Sequence, residues 1–287
     1  MATDLLQLLY YGLVYGAIVA LGAIGVSLIF GILRFANFSH GDLMTTGSYV
    51  ALALVGWLGW PLWAAVAPAA IATGVIAIVL DRLFYRHLRR TAPVILLIAS
   101  FGSGLILRSI VQIIFGPDNH VYRTGISIPF RWQGLVITPD SLWVLGGAIV
   151  MVILVHLFLS HTRMGKSMRA MSDNMDLALV SGIPAERVVM WTWMIGGILA
   201  AIGGILLSMD TKLHPTVGYH ELLPIFAAAI VGGIGRPYGA ILGAFIISLA
   251  MQYSTLIISP AYMPAVAFTI MLVVLIIRPS GLFKGTL

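Results

Sequence analysis

Few residues in this sequence could do chemistry. Gly165-Lys166-Ser167 ends like a phosphate-binding loop. Such a loop needs a glycine five residues earlier and a strand before it, so that backbone N–H groups and the lysine can cradle phosphates. That earlier position is Ser160, and no strand precedes it. His220-Glu221 opens like a zinc-protease helix, but Leu222-Leu223-Pro224 follows and no second histidine arrives. Gly102-Ser103-Gly104 lacks the spacing of a nucleophile elbow. The seven histidines are scattered, and there is no cysteine for a thiolate, a cluster or a disulfide. No metal site and no catalytic constellation is expected. The polar run Asn37-Phe38-Ser39-His40-Gly41-Asp42 remains, as does Arg108 in an apolar stretch. A buried arginine there faces an aqueous cavity or a neighbouring carbonyl, or it snorkels to the headgroups.

The elements that hold these residues are membrane helices. Hydrophobic residues make up 60% of the 287 and charged residues only 9%, where a soluble domain carries about 25% charged. The apolar segments are Leu5–Leu33, Leu43–Trp57, Leu62–Leu80, Pro93–Phe115, Ser141–Leu159, Val188–Met209, Leu222–Ile234, Tyr238–Ile258 and Tyr262–Ile277. Backbone groups in hydrocarbon must pair internally, so these are helices or protein-buried breaks. The expected fold is an all-α polytopic bundle, residues 1–287 as one domain, with about eight to nine transmembrane segments. The acidic start, Met1-Ala2-Thr3-Asp4, is unlike a signal peptide, so the first run is read as a true span.

Two segments are too short. Leu222–Ile234 would make a helix of about 20 Å in a core of about 30 Å, and Gly232-Gly233-Ile234-Gly235-Arg236-Pro237 follows it. Leu43–Trp57 follows the polar run. Short, Gly/Pro-interrupted segments in the two halves of a transporter mark broken or re-entrant helices and the pathway between them. Gly12/Gly16, Ala200/Gly204 and Gly239/Gly243 are spaced for close helix packing. Basic residues are biased. Arg82, Arg86, Arg89, Arg90, Arg163, Lys166, Arg169, Arg187, Arg278 and Lys284 fall on one side, against Arg123, Arg131 and Lys212 on the other. This predicts a cytoplasmic C-terminus and an N-terminus outside, and explains the net charge of +6 without nucleic acid. The long basic loop, about 160–187, has helical periodicity, with Ala170, Met171, Ala178, Leu179 and Ile183 on one stripe. It suits a surface or docking helix.

Within that loop, Asp176-Leu177-Ala178 followed by Gly182 resembles the EAA-x-x-x-G coupling loop of ABC importer permeases. Three further stretches resemble the branched-chain amino acid permeases, specifically the LivH-like subunit: Ile32–Asp42, Ala227–Gly235 and Arg278–Phe283. Ser39 stands for the family's alanine and Lys284 for its glycine. The resemblance runs from about Leu5 to Phe283. It implies a heteromeric importer at the bacterial inner membrane for leucine, isoleucine and valine. Its partners would be a second, LivM-like permease, two ATP-binding subunits that hold the ATP and magnesium, and a periplasmic binding protein. This chain itself would carry no cofactor. The ATPase-coupling candidates are Gly165, Arg169, Asp173, Asp176, Ala178 and Gly182. The pathway candidates are Asn37, Ser39, His40, Arg108, Gly232, Gly233 and Gly235. A related permease for urea, short amides or other amino acids is the alternative. A stand-alone ion-coupled carrier or channel is a second, and the scarcity of intramembrane charge argues against it.

Overall fold

The computed structural model describes residues 2–122, 129–132 and 134–283. Arg123 and Lys284, counted above among the loop charges, and Met1 lie outside them. The chain is a polytopic helical bundle. Among the described residues, six helices are long and apolar enough to cross a membrane. In chain order they are α1 (Ala2–Leu33), α3 (Leu62–Leu80, continued by a π-helical turn Asp81–Tyr85 and α4, Arg86–Leu88), α5 (Pro93–Phe115), α6 (Pro139–His161), α9 (Ala185–Asp210) and α13 (Met263–Ile277, continuing a 3-10 turn Pro260–Tyr262). Helices α2 (His40–Leu58), α10 (Val217–His220), α11 (Leu222–Gly232) and α12 (Pro237–Ser254) complete the bundle.

Helix α1 is apolar all round, and such a helix belongs inside. It is buried almost continuously from Val14 to Ile32, packed by α12, α9, α11 and α6. Helix α12 lies antiparallel to it because Gly12 and Gly16 admit Leu249 and Phe245. A methyl on either glycine would meet those side chains at 2.7 and 2.8 Å. One end of the bundle carries α7 (Arg163–Asp173) and α8 (Met175–Val180). The other carries a two-stranded hairpin, β1 (Phe130–Trp132) and β2 (Leu135–Ile137), in register Phe130↔Ile137. The Gln7 side chain clamps this hairpin to the start of α1, donating to Val136 O at 3.0 Å and accepting from Val136 N at 2.8 Å.

Two passes are broken, as the short segments predict. After Leu33 at the α7 end, Arg34 takes a left-handed φ of 56° and the chain turns back into the bundle without helix. Helix α2 begins only at His40, beside Gly25, about 12 Å up α1 from Leu33; a methyl on Gly25 would lie 2.6 Å from the imidazole. The second break has the opposite sense. From Asp210 at the hairpin end, residues 211–216 run inward, and α10 and α11 carry the pass on to the α7 end. The two helix starts meet where Gly41 touches Gly218. A Cβ on Gly218 would sit 2.9 Å from the Gly41 carbonyl carbon. The Gly218 N–H, otherwise an orphan of a helix start, donates to Thr45 Oγ1 at 3.0 Å.

The far end of α11 is closed by glycine and by the C-terminal tail. Gly233 (φ 107°) and Gly235 (φ 86°) take turn conformations that side chains resist. The tail then returns beneath them. Leu282 N donates to Val231 O at 2.9 Å and Phe283 N to Gly232 O at 3.3 Å, satisfying two carbonyls that α11 leaves open. Gly281 (φ 74°) permits this approach; a methyl there would lie 2.6 Å from Ile230 O.

Because overpacking such a contact costs about 1–3 kcal/mol, Gly218→Ala is expected to lower the melting temperature in detergent by several degrees. Gly102→Ala on α5, with open space around its Cβ, is expected to be neutral or stabilising. Tryptophan-fluorescence melts of both variants check this.

Candidate functional site

Each residue of the Asn37–Asp42 run has a partner in the packing. Asn37 Oδ1 accepts from Ser39 N at 3.2 Å and from Ser39 Oγ at 2.7 Å, which folds the turn into α2. The Phe38 ring stacks on Phe226 of α11, centroids 5.1 Å apart, and its N–H donates to Ser100 Oγ of α5 at 3.0 Å. Ser39 Oγ meets Tyr85 OH at 3.0 Å, and Tyr85 OH reaches Ser103 Oγ. Tyr85 gets there from the π-helical turn, held in a stack with Trp193 (4.9 Å, 12°) and beside Phe35. His40 fills the notch at Gly25, and Gly41 meets Gly218. Asn37, Ser39 and His40 are all fully buried. Their geometry anchors the broken pass into α5, α3 and α9.

Asp42 differs, because it points at Arg108. Arg108 Nε donates to Asp42 Oδ1 at 2.9 Å and Nη2 to Oδ2 at 3.2 Å, a bidentate pair. The guanidinium also lies 4.1 Å over the Tyr219 ring, a cation–π contact. Arg108 therefore does not snorkel; it is held by α2 and α10. Tyr219, His220 and Leu223 beside it are exposed on the bundle surface. Two residues beyond Tyr219, Glu221 Oε2 accepts from the Tyr15 hydroxyl of α1 at 2.5 Å. A band of charge and aromatic surface thus sits where the two broken passes meet.

The remaining candidates lie elsewhere. Gly232, Gly233 and Gly235 are buried in the α11–α12 turn at the α7 end. Gly232 packs on Gly239 and Gly243 on Ala228, so these glycines draw the two helices together. Gly165 turns α6 into α7, where a methyl would lie 2.5 Å from Leu159 Cα, and its N–H is capped by Thr162 Oγ1. Asn174 separates α7 from α8 and caps the latter, accepting from Leu177 N at 3.0 Å. Met171 and Ala178 are buried and Ala170 and Ile183 partly so, whereas Leu179 of the same stripe is exposed. Arg169, Asp173 and Asp176 are exposed. Gly182 (φ 83°) ends α8. Arg34 ties the two regions together, its guanidinium donating to Ser172 O at 2.8 Å.

Sequence reasoning missed the Asp42 half of the ion pair, because it counted Arg108 as the one clear charge in a span. It also missed Tyr15, Tyr85, Tyr219 and Glu221. The available signal was polar residues on the buried side of apolar segments, with Asp42 within a few residues of a helix start.

The family described as "Branched-chain amino acid transport system / permease component" matches residues 8–275. The chain belongs to that family. The LivH high-affinity branched-chain amino acid permease protein of Escherichia coli K12 is 28% identical, over 96% of this chain and 94% of the relative. BraD of Pseudomonas aeruginosa, a permease protein of the same description, is 30% identical over 96% and 95%. The ribose import permease RbsC of Escherichia coli K12 is 26% identical over 80% and 71%. Among solved structures, PsaBC from Streptococcus pneumoniae in complex with Fab is similar in fold, at a TM-score of 0.55 and 16% identity over 99% and 98% of the two chains. This branched-chain permease family member is therefore a multi-pass membrane transport protein, and its broken passes are part of a permease fold.

Removing one member of a buried ion pair leaves the other uncompensated, at about 3–5 kcal/mol. Asp42→Leu or Arg108→Leu alone is expected to lower the melting temperature markedly, and the double variant to recover much of the loss. A double-mutant cycle of melts in detergent checks the coupling.

Proposed function

We propose that this chain is the permease subunit of an ATP-driven importer, forming one half of the transmembrane route for leucine, isoleucine and valine. A single domain, residues 1–287, carries both its half of the route and the surface on which the drive acts. The observation that carries the reading is the surface of α8. Leu177 (64% exposed) and Val180 (87%) stand beside exposed Asp176, outside the apolar body of the bundle, in the segment that resembles the coupling loop. Apolar side chains in that position suit the groove of a partner. Two ATP-binding subunits are the partners in this reading, and ATP hydrolysis is theirs, as this sequence offers no nucleotide loop of its own.

Lysine and arginine concentrate on the α7 end, which by the positive-inside rule faces the cytoplasm. The N-terminus and the hairpin end then face outward, where a binding protein delivers substrate. A second, LivM-like permease covers the side that bears Tyr219 and Leu223, and the route runs between the two subunits past the Arg108 band. ATP closure presses on Gly165–Gly182. The push reaches the end of α1 through the Arg34–Ser172 contact, and from there the broken pass that starts at Asn37. A ligand moves such an equilibrium only through its different affinity for the two states, here ATP on the partner subunits.

In vesicles that hold the co-expressed complex, Asp176→Arg and Gly182→Trp are each expected to abolish ATP-dependent leucine uptake while the chain stays in the membrane. Leu177→Asp with Val180→Asp is expected to prevent co-purification of the ATP-binding subunits with a tagged chain. Wild-type uptake in the first two variants would sink the coupling role. Uptake of urea or a short amide in place of leucine would redirect the substrate.

A further inference from the structure

At the α7 end, α1, α6, α7 and the start of α12 enclose a cavity of about 480 Å³. Its chemistry changes with depth. Arg169 of α7 and Arg236 ahead of α12 line its rim, both exposed. Neither guanidinium has a hydrogen-bonded or ion-paired partner among the described residues, although Asp173 stands on the same rim. Tyr238 lies beside them, its hydroxyl 2.9 Å from His156 Nδ1 on α6, and tyrosine is favoured at the headgroup level of a bilayer. Deeper in, the wall is Leu28, Ile32, Leu159 and Leu242. Leu242 lies six residues beyond Arg236, about 9 Å by helical rise. The apolar wall and the exposed flanks of Tyr238 and Leu242 open the cavity between α6 and α12 toward the surrounding hydrocarbon.

We propose that this cavity binds an anionic phospholipid, its phosphate on Arg169 and Arg236 and its first acyl methylenes against Leu159 and Leu242. A zwitterionic lipid brings its own cation to the rim and meets two guanidiniums against one carboxylate. An anionic one meets net positive charge, and basic pockets between membrane helices select such headgroups. A free phosphate would leave the apolar wall bare. The bound lipid would touch α7, so occupancy would brace the segment that turns from α6 into the proposed coupling surface. The site itself rests only on the chain being embedded in a bilayer, not on the coupling role.

The test uses the full chain, delipidated in detergent. Phosphatidylglycerol is expected to raise its melting temperature by about 5 °C or more, with little change from phosphatidylcholine of the same chains or from inorganic phosphate. Arg169→Gln with Arg236→Gln is expected to remove the response, as is Leu242→Trp, which fills the apolar part. Native mass spectrometry of the unmodified chain in an equimolar lipid mixture is expected to retain phosphatidylglycerol selectively, whatever the variants do. Equal shifts with both lipids, a shift with phosphate alone, an unchanged response in the arginine variant, or unselective retention would overturn the proposal. None of these readings involves transport, so failure here and failure of the importer reading are separable.

Discussion

A peptide group in hydrocarbon has no water to bond with, so a chain that breaks its helices inside a bilayer must supply partners from within. This chain breaks two passes, and everything around the breaks serves that need. Helix α2 starts in mid-bundle, and the side chain of Asn37 and the hydroxyl of Ser100 take the N–H groups of Ser39 and Phe38. Helix α10 starts against it, and Thr45 takes the N–H of Gly218. The breaks have opposite senses and meet at two glycines, so each fills the space the other opens. The second depends on the first directly, because without Thr45 the N–H of Gly218 would be left bare.

The polar residues in the membrane therefore divide into two kinds. Asn37, Ser39, Ser100 and Ser103 hold backbone or one another and are buried within the bundle. Asp42, Arg108, Tyr219 and Glu221 hold side chains at the edge of the bundle, close to exposed surface. A charge pair in so apolar a setting costs much in desolvation, and its bidentate geometry is what offsets that cost. It also fixes α5 and α10 against α2 at one height, so the two broken passes cannot slide independently.

Much of this was legible in the sequence. Run lengths gave the spans, and the shortness of Leu222–Ile234 marked a broken pass, but its glycines form the turn at the α7 end and the break itself lies ahead of it, at residues 211–216. The polar run Asn37–Asp42 ahead of the short Leu43–Trp57 marked the other. The partners were not legible, because they join residues far apart in the chain. Nothing local in Arg108 names Asp42, and nothing in Tyr85 names Ser39. The π-helical turn that aims Tyr85 leaves no composition signal either, since Asp81–Tyr85 reads as the start of the basic loop after Leu80. The loop at 160–187 was readable as helical, but Asn174 divides it in two and turns Leu179 outward, which a single stripe through the loop does not anticipate.

The tail that closes α11 has a bearing on biogenesis. Translation proceeds from the N-terminus, and residues 278–283 emerge after every helix described here. Until they do, the carbonyls of Val231 and Gly232 have no Leu282 and Phe283 amides to accept. The second broken pass can enter the bilayer early, yet its inner end is sealed only by a stretch that the ribosome delivers after every helix described here. Insertion of the α11–α12 turn and the closing of its last carbonyls are thus separate events for this chain.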